Sequence, residues 1–209
     1  MLKLPVYLLL DTSGSMKGEP IESVKAGLSS LLSSLKSDPL TSGRVHLSII
    51  TFDREVNILV LLTAIDKFQL PEITVPDSGP THIGLALDVL SNRVKTDRRL
   101  IKGDNPGDYM PPFLFVMTDG SPSDIQTYRS MIPEIKNMGF GKIVGCAAGS
   151  KAKVEYLKEL TDNVVSLDTL DSASFGQFFK WVGASINDSC ENNEATIPPP
   201  PSEFNLIVV

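Results

Sequence analysis

Short apolar runs and helical stripes alternate along this chain, and this alternation restricts the fold more than any other feature of the sequence. The run LPVYLLL at 4–10 predicts a buried strand. Apolar residues at helical spacing between Ile21 and Leu35 follow it and predict a helix, which Pro20 can open and the segment 37–39 can close. Strands that alternate with helices in this way are typical of parallel α/β sheets.

The rest of the chain repeats the alternation. The segments 44–53 and 56–63 predict two strands joined by a two-residue turn, so the second is expected to be an antiparallel edge strand. Further strands are predicted at 112–118, 142–148 and 164–167, with helices between them and a last helix that carries Phe175, Phe178, Phe179, Val182 and Ile186. We expect Pro133 to kink or split the helix that contains it. The predicted fold is a Rossmann-like, doubly wound open sheet of about six mostly parallel strands, with one antiparallel edge strand and helices on both faces.

The composition changes near the end of the chain. After Asn187 the residues are mostly polar and include four consecutive prolines at 198–201, which favour an extended segment. We therefore divide the chain into a domain at 1–188 and a polar, proline-rich tail at 189–209. The apolar end FNLIVV is expected either to dock on the domain or to pair with the sheet edge of another chain.

Composition excludes several classes of function. The 209 residues carry a formal net charge of −6 without a basic stripe, which argues against nucleic acid as a partner. Two cysteines are too few for a disulfide framework or a zinc site and favour a reducing compartment. The apolar run at 4–10 is too short for a signal peptide, and no window is long enough to span a membrane. We expect a cytoplasmic protein.

Oxygen-bearing side chains follow several of the predicted strands. DTSGS at 11–15 follows the first strand, Thr81 precedes the second long helix, and Asp119 follows the strand at 112–118. Ligands of open parallel sheets bind beyond the carboxyl ends of the strands, so these side chains are expected to meet at one edge. Hard oxygen donors favour Mg²⁺ or Mn²⁺ and disfavour zinc. The candidate metal ligands are Asp11, Ser13, Ser15, Thr81 and Asp119.

The charge of this set indicates what such a site would do. Two carboxylates balance a divalent cation and leave a position for water or for an acidic side chain of a partner. A general base is missing, because His46 lies within a strand and His82 just inside a helix. Docking is therefore favoured over hydrolysis. Taken singly, each residue also fits a structural role: DTSGS and Asp119 as turns, and Thr81 as a helix cap.

The sequence resembles a known family at these positions. DTSGS at 11–15, Thr81 and TDG at 118–120 resemble the metal-ion-dependent adhesion site of von Willebrand factor type A domains, whose pattern is D-x-S-x-S, a distant Thr and a distant Asp. The segment 4–28 and the proline-rich end are more narrowly similar to the bacterial tellurium-resistance proteins of TerY type. Pro80 departs from the pattern, because glycine is usual before this threonine, and it stiffens the loop.

The resemblance implies a function as well as a fold. It implies a non-enzymatic domain that binds Mg²⁺ and recruits a protein partner through it. Ser13 and Ser15 would hold the metal directly, Thr81 directly or through water, and Asp11 and Asp119 mainly through waters. The TerY type implies a tellurite or stress response together with a partner kinase and a PP2C-like phosphatase. Residues that border the site and are expected to contact the partner are Met16, Lys17, Glu19, Pro80, His82 and Ser121.

Two other functions fit parts of the sequence. A haloacid dehalogenase-like phosphatase would use Asp11 as the nucleophile, but that family needs a second acid where this chain has Ser13. A structural subunit would use the metal site only to stabilise its loops and would interact through the tail at 189–209.

Overall fold

Seven strands form one sheet in the computed structural model, which describes residues 2–77, 79–101, 106–202 and 205–207. The order across the sheet is β3-β2-β1-β4-β5-β6-β7. The pairings are parallel except for β2 with β3 and β6 with β7. The strands are β1 (Leu4–Asp11), β2 (Val45–Phe52), β3 (Val56–Ala64), β4 (Phe113–Thr118), β5 (Lys142–Ala148), β6 (Asn163–Leu167) and β7 (Asn205–Ile207).

Six α-helices of the described residues cover the two faces of the sheet: α1 (Glu19–Ser37), α2 (Pro39–Ser42), α3 (Ile83–Ile101), α4 (Ile125–Asn137), α5 (Val154–Leu160) and α6 (Ser172–Asn192). Residues of α1 and α6 share one hydrophobic cluster with the sheet, and residues of α3, α4 and α5 share the other. None of the described helices combines the length and the apolar character needed to span a membrane.

The central strand β1 shows why this sequence forms a two-sided sheet. All eight of its residues are buried. Its even-numbered apolar residues, such as Leu8 and Leu10, pack on the α1 and α6 side, whereas Tyr7 and Leu9 pack on the opposite side. Because both faces are covered, the strand must be apolar throughout, and it becomes polar only at its end, at Asp11.

The predicted fold class is confirmed, including the β2–β3 hairpin with β3 at the edge of the sheet. Pro133 does not split its helix, because α4 continues through this residue from Ile125 to Asn137. Pro133 lies on the exposed side of the helix, where water can satisfy the backbone carbonyl that loses its partner.

The end of the chain differs from the sequence prediction in two respects: helix α6 is longer, and β7 adds a second antiparallel edge strand. Helix α6 continues to Asn192, four residues past the predicted domain boundary, and Cys190 is buried within it. The following extended segment packs on the domain, where the Trp181 indole donates a hydrogen bond of 3.0 Å to the carbonyl of Pro198. Strand β7 then pairs with β6 of the same chain. Of the predicted FNLIVV segment, residues 204, 208 and 209 lie outside the described residues, and the boundary at 188 stays a prediction.

Candidate functional site

The end of β1 places the first carboxylate of the site. Asp11 is 1% exposed, and both of its oxygens accept hydrogen bonds. Oδ1 accepts from the backbone N–H of Ser13 at 2.7 Å, and Oδ2 accepts from the hydroxyl of Thr118 at the end of β4 at 2.6 Å. The Asp11 carboxylate therefore holds the ends of two neighbouring strands together and fixes the turn that follows.

The turn after Asp11 brings two serine hydroxyls next to the second carboxylate. The hydroxyls of Ser13 and Ser15 lie 3.3 Å apart, and Ser15 lies in a 3-10 turn at Gly14–Met16 that precedes α1. The Ser15 hydroxyl donates a hydrogen bond of 3.0 Å to Oδ1 of Asp119, which follows β4. Residues more than 100 positions apart thus form one continuous row of oxygens.

Thr81 lies at the same edge of the sheet. Its side chain is buried, and its Oγ1 would be 3.2 Å from a Cβ placed on Gly120, so the glycine lets the hydroxyl approach the Asp119 loop closely. No hydrogen bond of this hydroxyl is found within the described ranges. Thr81 reaches the predicted site with its hydroxyl available.

The prediction that Thr81 caps helix α3 is wrong. The helix begins at Ile83, so Thr81 lies one residue too early for the capping position. The cap comes instead from Asp124, whose Oδ1 accepts from the N–H of Gly84 at 3.1 Å and whose Oδ2 accepts from the N–H of Leu85 at 2.8 Å. A carboxylate from a distant loop thereby satisfies the free N–H groups of the helix N-terminus.

The electrostatics of the two carboxylates suit a divalent cation. Burial raises the pKa of Asp11 to about 6, and burial also raises the pKa of Asp119 above its usual range. Neither forms an ion pair with another described residue. Two carboxylates without a compensating cation, beside three hydroxyls, fit an oxygen-binding metal ion.

Hydroxyls are essential to this donor set. Among the residues that the structure describes, no three His, Cys, Asp or Glu side chains cluster in a way that could hold a metal. A site with only two carboxylates must therefore complete its shell with Ser13, Ser15, Thr81 and water. Such a set is typical of magnesium and manganese more than of structural zinc, which takes four protein ligands.

The predicted partner contacts divide into one buried residue and five accessible ones. Met16 is 1% exposed and packs in the core, so it is withdrawn as a partner contact. Its apolar side chain anchors the 3-10 turn. Lys17 is exposed and pairs with Asp77. The remaining accessible residues are Glu19, Pro80, His82 and Ser121.

Sequence reasoning missed Lys151. This exposed residue follows β5 and lines a cavity of about 140 Å³ together with Ser15 and Asp119. Its ammonium group lowers the pKa of Asp119 against the larger effect of burial. The rule that selects residues beyond the carboxyl ends of parallel strands would have identified Lys151, had it been applied to β5 as well as to β1 and β4.

A larger cavity of about 840 Å³ adjoins the site on the side of the β2–β3 hairpin. Thr12 contributes to its wall and donates a hydrogen bond of 3.0 Å to Oδ2 of Asp53. Arg54 and Glu55 also line this cavity. The predicted metal site therefore lies between two concave surfaces.

Solved structures share this architecture at low sequence identity. The mussel byssus proximal thread matrix protein 1, solved with a zinc-occupied metal-ion-dependent adhesion site, has a TM-score of 0.68 and 14% identity over 89% of this chain and 48% of its own. Manganese-loaded TRAP protein of Plasmodium vivax has a TM-score of 0.62 and 21% identity over 83% of this chain and 70% of its own. The pilus adhesin SpaC of Lactobacillus rhamnosus GG has a TM-score of 0.66 and 13% identity over 92% of this chain and 30% of its own.

These likenesses show the fold. The chain spans about half the length of the mussel protein. A comparison with curated protein sequences finds no match. The family model of the von Willebrand factor type A domain, in contrast, matches residues 6–179, from the first strand into the last helix. The matched range contains Asp11, Thr81 and Asp119 with the strands that position them. This chain belongs to the von Willebrand factor type A domain family.

Proposed function

We propose that this protein is a Mg²⁺-dependent protein-binding module that captures an acidic residue of its partner at the carboxyl ends of β1 and β4. Members of the family are typically metal-dependent adhesion or protein-interaction modules. The observation that carries the proposal is the row of oxygens from Ser13 through Ser15 to Asp119, beside the available hydroxyl of Thr81. Mn²⁺ suits the same donor set.

Each residue has a separate task in this proposal. Ser13, Ser15 and Thr81 would hold the cation with neutral oxygens, and Asp11 and Asp119 would balance its charge. The bound cation would supply the positive charge that a partner carboxylate needs. Asp11 also holds the turn through its bonds to Ser13 and Thr118, so its role in the fold and its role in the charge balance coincide.

The surface around the proposed metal site fits an acidic partner. Lys151 lies on the same cavity as Ser15 and Asp119. Its ammonium group lies where a partner carboxylate would approach, in a chain whose net charge is −6. Complementary charge of this kind mainly raises the rate of association and the specificity.

We assign the module to a cytoplasmic bacterial tellurite- or stress-response system linked to a Ser/Thr kinase and a PP2C-like phosphatase. This part of the proposal rests on the resemblance of segment 4–28 and of the proline-rich end to TerY-type proteins. Adjacent kinase and phosphatase genes would support the assignment.

Affinity capture from the native host tests the proposed function. Immobilised protein in Mg²⁺ is expected to retain a partner that EDTA releases, and the Ser13→Ala variant is expected to retain none. A partner that stays bound in EDTA, and that is lost only when residues 189–209 are removed, would replace this proposal with interaction through the tail.

The phosphatase alternative is disfavoured by the geometry of Asp11. A nucleophilic carboxylate needs a free oxygen directed at phosphorus, but both Asp11 oxygens accept hydrogen bonds and the side chain is 1% exposed. Ser13 occupies the position where a second acid would be needed. Hydrolysis of a generic phosphoester that Asp11→Asn abolishes would restore this alternative.

A further inference from the structure

Two loops that carry predicted metal ligands are fastened to each other by two hydrogen bonds. The N–H of Thr81 donates to the Ser123 hydroxyl at 3.1 Å. The N–H of Ser123 donates in return to the carbonyl of Thr81 at 2.8 Å. Ser123 belongs to the loop that begins at Asp119. These two hydrogen bonds therefore join the segment just before α3 that carries Thr81, called here the threonine loop, to the loop of Asp119.

Asp124 fastens the loop that begins at Asp119 to the first turn of α3. Both of its oxygens accept from N–H groups of the first turn of α3, at Gly84 and Leu85. The carbonyl of Asp124 accepts from the N–H of Tyr128 at 2.9 Å and so also begins α4. One residue thereby fixes the start of two helices relative to each other.

Gly84 is needed for this close approach. A Cβ on Gly84 would lie 2.3 Å from the backbone nitrogen of Tyr128 and 2.8 Å from Oδ2 of Asp124. The first distance involves backbone, which cannot rotate away. The absence of a side chain at Gly84 lets the first turn of α4 lie directly on the N-terminus of α3.

We propose that Ser123 and Asp124 are positioning residues that set the Thr81 hydroxyl relative to Ser15 and Asp119 and thereby determine the affinity of the metal site. This inference rests on the proposed function. The other bonds of the threonine loop lead away from the site, from the N–H of His82 to the carbonyl of Asp53 at 2.9 Å. The Ser123 bonds connect Thr81 directly to the loop of Asp119, and the Asp124 bonds connect the first turn of α3, three residues after Thr81, to the same loop.

The physical effect is preorganisation. If the threonine loop is already ordered before the cation binds, binding does not incur the entropy cost of ordering the loop. Residues that orient metal ligands without touching the metal typically change metal affinity by about 10–100-fold when they are removed. Ser123 and Asp124 are expected to act in this range through Thr81.

Mn²⁺ titration followed by electron paramagnetic resonance tests the inference, because free and bound Mn²⁺ give distinct signals. Asp124→Ala is expected to weaken Mn²⁺ binding about tenfold or more. Thr81→Ala is expected to weaken it as well, and Asp124→Ala added to Thr81→Ala is expected to cause little further loss. This non-additivity separates positioning through Thr81 from a general loss of stability.

Asp38→Ala is the matched control. Asp38 caps α2 by accepting from the N–H of Leu40 at 2.8 Å, at the opposite edge of the sheet. Its loss removes a helix cap of similar chemistry and is expected to leave Mn²⁺ affinity unchanged. Asp124→Asn, which keeps one acceptor oxygen, is expected to lie between the wild type and Asp124→Ala, and thermal unfolding in EDTA shows that each variant is folded.

The possible outcomes are distinct. Equal affinity losses in Asp124→Ala and Asp38→Ala, an unchanged affinity in Asp124→Ala, or fully additive losses in the double variant would each overturn the positioning role while leaving the metal site intact. A wild-type protein that binds no Mn²⁺ would overturn the proposed function itself.

Discussion

At the scale of single residues, the site combines a carboxylate that the fold itself holds, Asp11, with serine hydroxyls that lie beside Asp119. The N–H of Ser13 is bound by Asp11, whereas the Ser13 hydroxyl faces Ser15. The sequence was sufficient to predict that the five oxygen-bearing residues lie at the same end of the sheet, because each follows a strand or precedes a helix of a recognisable pattern. It was not sufficient to predict Asp124, since the N–H groups that this carboxylate caps lie about 40 positions away.

A prediction at this scale concerns Gly84. Gly84→Ala is expected to lower the free energy of unfolding by about 1–2 kcal/mol, because overpacking against the Tyr128 backbone outweighs the gain in helix propensity. Gly176→Ala in α6 is the control, since a Cβ there meets no atom within 4 Å and is expected to stabilise the protein by up to about 1 kcal/mol. Urea denaturation measures both changes. A Gly84→Ala variant as stable as Gly176→Ala would contradict the close packing of α3 against the first turn of α4.

At the scale of elements, periodicity predicted the strands and the main helices because burial of β1, β2 and β4 leaves its pattern in the local sequence. Features that depend on distant contacts could not be predicted in this way. Arg44 is an example: it is 2% exposed and donates to the carbonyl of Leu2 at 2.6 Å and to Asn193 at 2.7 Å, so it ties the start of β1 to the end of α6. Strand β7 is another, because three residues are too few to show a period.

The strand β2 gives a prediction for pH. Partial burial lowers the pKa of His46 below its ordinary value of 6.5, with a smaller opposing effect from its bond to the carbonyl of Arg44. Between the lowered pKa and 6.5 the unfolded chain binds more protons than the folded protein, so the free energy of unfolding falls as the pH falls. In EDTA, the wild type is expected to lose more stability than His46→Gln between pH 7.5 and 5.5. Equal losses in a urea titration would show that His46 does not titrate in this way.

At the scale of the whole molecule, the sheet brings the ends of β1 and β4 together and leaves two buried carboxylates at one edge. Burial raises the pKa of both Asp11 and Asp119, because it disfavours the charged form of each carboxyl. Two neighbouring carboxylates without an ion pair favour the binding of a cation between them. We therefore expect a bound cation to raise the free energy of unfolding, since it binds only the folded protein.

Isothermal titration calorimetry with Mg²⁺ tests this central claim most directly. Metal-stripped wild type is expected to bind one Mg²⁺ per chain, as is the control Ser33→Ala, whose exposed serine lies on α1. The double variant Ser13→Ala and Ser15→Ala is expected to bind none, because it loses two of the three hydroxyl donors. No binding by the wild type, or equal binding by all three proteins, would contradict a metal site at this edge of the sheet.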